Sequence, residues 1–248
     1  MDGRGRDVDR VGRRFEELAW SSTPIGELSL RRRREPVTGD DVFEVKLGDE
    51  YLMSSLFTVA EVEVARLALA RLDGDRLDVA VGGLGLGYTA QTVLADPRVR
   101  ELVVVDLLEP VIEWHQQGLL PMGDAVAADP RCRLVHGDFF GMVAGAGVDP
   151  LAPGRVFDGI VVDIDHSPEH LLDPGNAPFY RPSGMRRMAA LLRPGGVFSL
   201  WSNDPPDEEY VAALDTVFAD VDAQVISFPN PLQSRPATNT VYLATARR

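Results

Sequence analysis

The sequence predicts an α/β protein built on a seven-stranded, mostly parallel sheet with helices on both faces, preceded by a small β appendage. Two observations favour this fold class. From residue 58 onward, short runs of Val, Leu and Ile alternate with segments of helical periodicity, as in parallel sheets that are covered on both faces. A glycine-rich turn follows the first apolar run and leads into a helical segment, which is the order of a strand–helix crossover unit.

The N-terminal quarter of the chain has a different pattern. Residues 1–14 mix Arg, Asp and Gly and are predicted to form a mobile tail. Phe15–Trp20 is predicted to form one short helical turn. From Glu27, alternating polar and apolar residues separated by turns predict a small antiparallel β appendage within residues 15–57. The run Arg31–Arg34 is predicted to be an exposed strand or an edge strand guarded by charge.

The main domain is predicted to span residues 58–248. Thr58 is expected to cap its first helix, with Glu61 three residues later as in a capping box. Alternation of apolar runs and helical periodicity then predicts every following element. The predicted strands are residues 77–81, 101–106, 133–136, 157–163, 197–201, 223–228 and 240–246, and the predicted helices are residues 59–72, 88–96, 110–117, 183–192 and 207–218.

The composition bears on the possible partners and on the cellular location of the protein. With 45% hydrophobic residues and a formal net charge of −13, the chain is expected to have a normal core, and nucleic acid or an anionic membrane is disfavoured as a partner. The acidic balance suits a small cationic substrate, although many chains are acidic for solubility alone.

Cys132 is the single cysteine, which leaves no internal disulfide. No apolar leader or membrane-length apolar run is found, so a cytoplasmic location is expected.

The glycine turn is the first candidate for a binding site. Four glycines fall within six positions, and three of them, Gly83, Gly85 and Gly87, alternate with larger residues. Glycine would let a ligand approach the backbone where a side chain would hold it away. Backbone N–H groups at the start of the next helix would then face an acidic or polar part of a nucleotide-like ligand. A glycine turn alone also fits a purely structural connection.

Acidic residues follow the predicted strands at the edge where open parallel sheets bind ligands. Asp106 ends the second core strand, nineteen residues beyond Gly87, a spacing expected of a carboxylate that accepts from both ribose hydroxyls. Asp138 follows the third strand and is placed to accept from an exocyclic amine, and Asp163 ends the fourth. Several such residues in register on one edge predict a nucleoside site.

These motifs resemble a known family. Gly-x-Gly-x-Gly, the acid ending the second core strand, Gly-Asp after the third and Leu-Arg-Pro-Gly-Gly before the fifth are similar to the Rossmann-like class I S-adenosylmethionine-dependent transferase fold. The β appendage, Asp129-Pro-Arg and Phe157-Asp-Gly-Ile-Val-Val-Asp163 narrow the resemblance to spermidine synthases, the aminopropyltransferases of polyamine biosynthesis. The resemblance covers residues 27–248.

The resemblance implies a donor site for S-adenosylmethionine or its decarboxylated form. Gly83, Gly85 and Gly87 would approach the amino-acid part of this donor. Asp106 would hold the ribose, and Asp138 would accept a hydrogen bond from the adenine amine. No metal is expected, because the sulfonium cation already makes the thioether a good leaving group.

The resemblance also implies an acceptor site beyond the fourth strand. Asp163 would be the catalytic base that takes the proton of the attacking amine, and Asp165 would anchor the cationic amine. His166 lies in a polar D-x-D-H-x-x-x-H loop, for which a substrate pocket is favoured over a metal site. Tyr180 and Trp201 would line the substrate, with core packing as the equal alternative for both.

The chain departs from the family pattern at three places. Spermidine synthases carry Gly-Gly-Gly-Asp-Gly-Gly in the glycine loop, and here Gly85 stands in place of the acid. They carry D-x-x-D after the fourth strand, where this chain has Asp163-Ile-Asp165-His166, and their appendage has a Tyr- and His-bearing acidic stretch in place of Tyr51–Thr58. Aminopropyl transfer to a small amine, methyl transfer from S-adenosylmethionine and a non-catalytic nucleoside-binding homologue all remain open. The assembly is also open, with a homodimer as one option.

Overall fold

The computed structural model describes residues 15–230, 232–233 and 235–248. The chain divides into two compact units, with the boundary between Leu56 and Phe57. The predicted tail at residues 1–14 lies outside the described residues.

The N-terminal unit is a four-stranded antiparallel sheet in the order β1-β2-β3-β4. Its strands are β1 (Phe15–Thr23), β2 (Gly26–Arg34), β3 (Asp41–Leu47) and β4 (Glu50–Ser54). The helical turn predicted at Phe15–Trp20 is wrong, because these residues pair with β2 in register from Phe15 opposite Arg33. A single helical turn is marginal by itself, whereas the hairpin satisfies the backbone of the whole segment.

The arginine run was predicted to be an exposed strand or an edge strand. It lies on an inner strand, so the edge alternative is wrong, while Arg32 and Arg34 are exposed as the other alternative states. β2 pairs with β1 on one side and with β3 on the other. Three of its four arginines pair with acids on the neighbouring strands: Arg32 with Glu16 at 2.6 Å, Arg33 with Glu44 at 2.7 Å and Arg34 with Asp41 at 3.5 Å. The guanidinium of Arg31 lies over the Phe15 ring, 5.4 Å from its centroid. Contacts within the sheet therefore account for this basic run.

The second unit contains the predicted seven-stranded sheet, in the order β10-β11-β9-β8-β5-β6-β7. All of its neighbours pair in parallel except those of β11, which is antiparallel to both β9 and β10. The predicted fold class is thus confirmed. The strands are β5 (Leu77–Gly82), β6 (Val99–Asp106), β7 (Cys132–His136), β8 (Phe157–Val162), β9 (Leu192–Ser202), β10 (Asp220–Phe228) and β11 (Ala237–Thr245).

Five of the seven α-helices in the described part of this unit correspond to predicted ones, and two short α-helices were not predicted. None of the described helices is long and apolar enough to cross a membrane. The predicted helices are α1 (Val59–Ala70), α2 (Tyr88–Ala95), α3 (Glu109–Gln116), α6 (Pro182–Ala189) and α7 (Glu208–Asp215), and the two unpredicted ones are α4 (Gly123–Ala127) and α5 (Phe139–Ala144).

An aromatic cluster ties the segments after β7 and before α6 to the sheet. Phe140 at the start of α5 lies 4.7 Å from Phe179 between ring centroids, and Phe179 lies 5.2 Å from Tyr180. Phe179 also contacts Phe198 on β9 at 6.3 Å. All four rings are buried, so the segment that follows β8 is anchored in the core at its far end.

Candidate active site at the carboxyl edge of the sheet

The parallel register brings the predicted site residues to one edge of the sheet. Gly82, at the end of β5, lies opposite Val105 on β6 and Val162 on β8. Asp106 lies opposite His136 at the end of β7. The glycine loop and the residues directly after β6, β7 and β8 therefore surround the switch point between β5 and β8, where the strand order reverses. This is the usual ligand position in such sheets.

The glycine loop is held by its neighbours inside the protein. Gly83, Gly85 and Gly87 all have positive φ angles, of 92°, 50° and 92°. A Cβ on Gly83 would lie 2.1 Å from the carbonyl oxygen of Asp163, and a Cβ on Gly87 would lie 2.7 Å from His115 Cε1. Glycine is thus required at positions 83 and 87 by internal packing, in addition to any ligand that the loop binds.

His115 on α3 holds this loop through a hydrogen bond. This role was not predicted from the sequence. Its Nε2 donates a hydrogen bond to the Gly85 carbonyl at 2.9 Å, and the side chain is 1% exposed. Burial lowers its pKa, so the neutral ring with the proton on Nε2 is the form that fits. The residue lies on the buried face of α3 beside Trp114, where sequence alone does not separate a supporting histidine from a packed one.

Asp106 lies where the sequence predicted it and links two loops of the edge. Its Oδ2 accepts from the Leu84 N–H at 2.8 Å, and its Oδ1 accepts from the Leu108 N–H at 2.7 Å. The side chain is nearly buried, and this burial raises its pKa despite the N–H donors. Each carboxylate oxygen has a second lone pair, so the contact with ribose hydroxyls remains a prediction that this geometry allows.

Asp138 serves as the N-cap of α5, a helix that was not predicted. Its Oδ1 accepts from the Phe140 N–H at 3.1 Å, the interaction expected of an N-cap aspartate. The side chain is otherwise exposed at the site edge. The adenine contact predicted for Asp138 stays a prediction, and the cap explains by itself why an aspartate suits this position.

Asp163 directly follows β8 and lies near Thr89 of α2 and Glu61 of α1. The Thr89 hydroxyl of α2 lies 2.8 Å from Asp163 Oδ2 and 3.1 Å from the backbone carbonyl of Glu61 on α1. Burial raises the pKa of Asp163 to about 6. Burial and then the Asp163 charge raise the pKa of Glu61 to about 8. The two carboxyls therefore form an interacting pair beside the glycine loop.

Only one member of this pair was predicted from the sequence. Glu61 was interpreted as the acid of a capping box with Thr58, but the Thr58 side chain makes no cap hydrogen bond in the structure. In the sequence, Glu61 is an acid in the first turn of α1. That pattern is the same whether the acid caps the helix or belongs to a binding site. Its closeness to Asp163 depends on how α1 packs.

Asp165 and Tyr180 are bonded to each other instead of being directed to a free pocket. The Asp165 carboxylate is 1% exposed and accepts from Tyr180 OH at 2.8 Å, from the Leu172 N–H at 2.7 Å and from Asn176 Nδ2 at 3.0 Å. Burial raises the pKa of both side chains. This geometry favours a structural role in holding the segment after β8 over the substrate contacts that the sequence predicted for both residues.

His166 and Trp201 occupy the same edge, between β8 and β9. The His166 carbonyl accepts from the Asn203 N–H at 2.7 Å, which fastens the segment after β8 to the end of β9. Trp201 is half-buried on β9, and its indole Nε1 is buried with no hydrogen-bond partner among the described residues. Their predicted contacts with substrate remain predictions.

The polar loop after β8 does not bring metal ligands together. His170 pairs with Asp204 through Nδ1 at 2.7 Å, whereas Asp165 turns inward to Tyr180. Within residues 15–230, 232–233 and 235–248, no group of three or more His, Cys, Asp or Glu side chains is arranged to hold a metal ion.

Comparison with known proteins identifies this architecture. No protein-family model matches the sequence. The crystal structure of spermidine synthase from Thermotoga maritima is similar with a TM-score of 0.69 and 18% identity, over 92% of this chain and 72% of that one. A spermidine synthase in complex with the transition-state analogue AdoDATO gives a TM-score of 0.71 and 17% identity, over 92% and 73%. The chain has the spermidine synthase fold.

This fold belongs to the wider class I methyltransferase fold, and a methyltransferase structure is also similar. Human methyltransferase-like protein 13 in complex with SAH has a TM-score of 0.58 and 19% identity, over 76% of this chain and 82% of that chain. The resemblance predicted from the sequence motifs is confirmed at the level of the fold. At this identity the likeness extends to the fold alone, so activity has to be argued from the site.

Proposed function

We propose that this protein is a spermidine synthase-like transferase that binds an adenosyl-sulfonium donor and transfers its aminopropyl group to an amine. The observation that carries the proposal is the Asp163 carboxyl, which lies 2.8 Å from the Thr89 hydroxyl directly after the glycine loop and has its pKa raised by burial to about 6. A general base works best when its pKa lies near the operating pH. At neutral pH Asp163 is mostly ionised and still able to take a proton.

The proposed reaction needs this base because a primary amine is protonated at neutral pH and cannot attack. Asp163 accepts the proton of the bound ammonium, and the freed nitrogen attacks the methylene carbon next to the sulfonium. The new C–N bond forms as the C–S bond breaks, and the electron pair of that bond returns to sulfur as a neutral thioether. The contribution of the protein is positioning and electrostatics.

The donor would lie along the glycine loop at the switch point of the sheet. Gly83, Gly85 and Gly87 would admit its amino-acid or aminopropyl part, Asp106 would accept from the ribose and Asp138 from the adenine amine. The positive φ angles of the loop and the buried carboxylate of Asp106 support this arrangement. A small cationic amine also suits a chain with a formal net charge of −13.

A second candidate function is methyl transfer from S-adenosylmethionine. It is favoured by one observation, that Gly85 replaces the loop acid that grips the aminopropyl amine in the resembling family. A donor that keeps its carboxylate would meet less repulsion at a loop without that acid. A non-catalytic nucleoside-binding or scaffold protein is the third candidate.

Calorimetry with S-adenosylmethionine, its decarboxylated form and methylthioadenosine separates these functions. Aminopropyl transfer predicts preference for the decarboxylated donor and, with putrescine added, a product whose mass is that of the amine plus one aminopropyl group. Preference for the carboxylated donor would overturn this proposal in favour of methyl transfer. Absence of binding by all three compounds would favour the non-catalytic alternative.

A further inference from the structure

We infer that Glu61 is a second carboxylate of the amine site, supplying from helix α1 the negative charge that the glycine loop lacks at Gly85. This inference rests on the proposed function and extends it to a residue outside the motifs that carry the family resemblance. The substrate group that it assigns to the Glu61–Asp163 pair is the primary ammonium of the acceptor amine.

The first support is the position of Glu61 relative to the proposed base. One hydroxyl, Thr89 Oγ1, lies within hydrogen-bond distance of the Glu61 backbone at 3.1 Å and of the Asp163 carboxylate at 2.8 Å. Thr89 is 3% exposed and lies in the first turn of α2, directly after the glycine loop. The contact therefore fixes the first turn of α1, the end of β8 and the loop against one another.

The second support is the charge balance around the pair. Both side chains are partly buried, and neither forms an ion pair with a lysine or arginine in the described part of the chain. Glu63, two residues further along the same helix, instead pairs with Arg66 at 2.8 Å between Oε1 and Nε. Buried carboxylates are normally paired, so the Glu61–Asp163 pair has the charge that a cationic ligand would balance.

The protonation of the pair supports the same assignment. Asp163 has its pKa raised to about 6 and Glu61 to about 8, in each case by burial, with the mutual charge adding to the effect on Glu61. Two interacting carboxyls release their protons in steps that belong to the pair. Without a ligand, the two carboxyls together retain one proton at neutral pH. A bound ammonium would take the place of that proton.

A binding experiment tests this inference directly. Putrescine is titrated by calorimetry into the full chain saturated with methylthioadenosine at pH 7, in two buffers of different ionisation enthalpy. We expect binding to release up to one proton for each amine bound, because the positive charge of the ammonium favours the ionised form of both carboxyls. In Glu61→Gln we expect the affinity for putrescine to fall about tenfold or more and the proton release to disappear.

Two controls make the outcome specific. Glu63→Gln lies on the same helix and removes the same charge from the surface, so it should bind putrescine as the unmodified protein does. Methylthioadenosine affinity should be unchanged in Glu61→Gln, which shows that the donor site is folded. An unchanged putrescine affinity and proton release in Glu61→Gln would overturn the assignment of Glu61.

The failure of this inference can be told apart from the failure of the proposed function. If the unmodified protein forms the aminopropyl product and Glu61→Gln has the same KM for the amine, the role of Glu61 is wrong and the function stands. If the unmodified protein binds methylthioadenosine, binds no amine and forms no product, the proposed function fails and the inference fails with it.

Discussion

At the scale of single residues, the carboxyls at the end of β8 differ in what they contact. Asp163 accepts from Thr89 and lies beside the glycine loop. Asp165, two positions later, is 1% exposed and is surrounded by donors from its own segment. Both follow the same strand, but Asp165 is enclosed by donors of its own segment and Asp163 is not, so Asp163 is the one proposed as the base.

The substitution Asp163→Asn is expected to abolish turnover and to leave nucleoside binding intact. The amide keeps the size of the side chain and can stay within reach of Thr89, but it cannot accept the proton of an ammonium. Turnover is measured by product mass, and binding by calorimetry with methylthioadenosine. Retained turnover in this variant would remove Asp163 from the mechanism.

The pH dependence of stability gives a second prediction at this scale. The pKa values of Glu61 and Asp163 are both raised, to about 8 and about 6, by burial. The folded protein therefore holds these protons more tightly than the unfolded chain. This contribution to stability is complete below the unfolded pKa values, near 4, and is lost as the pH rises through 6 and 8.

Glu61→Gln removes one of these titrations and should therefore stabilise the protein more at pH 9 than at pH 5. The change in the difference between variant and unmodified protein should be on the order of 1–2 kcal/mol, since partial solvent access reduces the full effect of the shift. Urea unfolding at the two pH values measures it, with Glu63→Gln as the control on the same helix. An equal difference at both pH values would contradict the raised pKa.

At the scale of elements, the glycine loop is shaped by its contacts with β8 and α3. The Gly83 N–H donates to the Val105 carbonyl at 2.9 Å, and its Cα hydrogen points towards the Asp163 carbonyl, where a Cβ would lie 2.1 Å away. His115 holds the middle of the loop through Gly85. The loop is thus preorganised, which limits the ordering needed when a ligand binds.

Gly83→Ala should cost more stability than a left-handed glycine ordinarily does. A side chain at positive φ costs roughly 1–2 kcal/mol, and here the added Cβ must also displace the backbone of Asp163. Gly154→Ala is the matched control, because Gly154 has a φ of 74° and nothing within 4 Å of the added Cβ. Urea unfolding measures the loss of unfolding free energy in each variant. An equal loss in both would show that the backbone of Asp163 moves aside at little cost.

At the scale of the whole main domain, the two edges of the sheet differ in electrostatic character: charges are balanced at one edge and acidic at the other. The amino edge carries a network in which acids and arginines neutralise each other. Asp78, 1% exposed, pairs with Arg193 at 3.1 Å and also with Arg100, while Asp149 pairs with Arg133 at 2.6 Å. The carboxyl edge carries Asp106, Asp138 and the Glu61–Asp163 pair, so the negative character of the site is local and not only a property of the composition.

Asp78→Asn is expected to destabilise the domain without changing nucleoside affinity, since the network lies at the edge opposite the site. Burial acts to raise the pKa of Asp78, but hydrogen bonds from Arg100 and Arg193 outweigh it and lower the pKa. The loss should be about 2 kcal/mol, because these arginines are partly exposed. It is measured by urea unfolding at pH 7 and should shrink at low pH, as the unmodified carboxylate becomes protonated. A change in methylthioadenosine affinity would show that the two edges are coupled.

Much of this architecture could be predicted from local pattern. The alternation of apolar strands with helices, the glycine turn and the acids at strand ends all lie within short stretches of sequence, and a parallel sheet places its strand ends together. Errors occurred where local pattern is weak. Phe15–Trp20 is a strand because a partner strand pairs with it. Helix α5 is short, and its N-cap is Asp138, for which the sequence had predicted only a ligand contact.

The sequence by itself determined the order of the elements, the parallel sheet and the edge at which the candidate site lies, because these follow from periodicity and from strand direction. Only the tertiary structure decided which side chains meet there. The link from the Glu61 backbone through Thr89 to Asp163, the support of Gly85 by His115 and the hydrogen bond from Tyr180 to Asp165 join segments that are far apart along the chain. Such contacts depend on how helices pack on the sheet, and packing distances leave no local signature in the sequence.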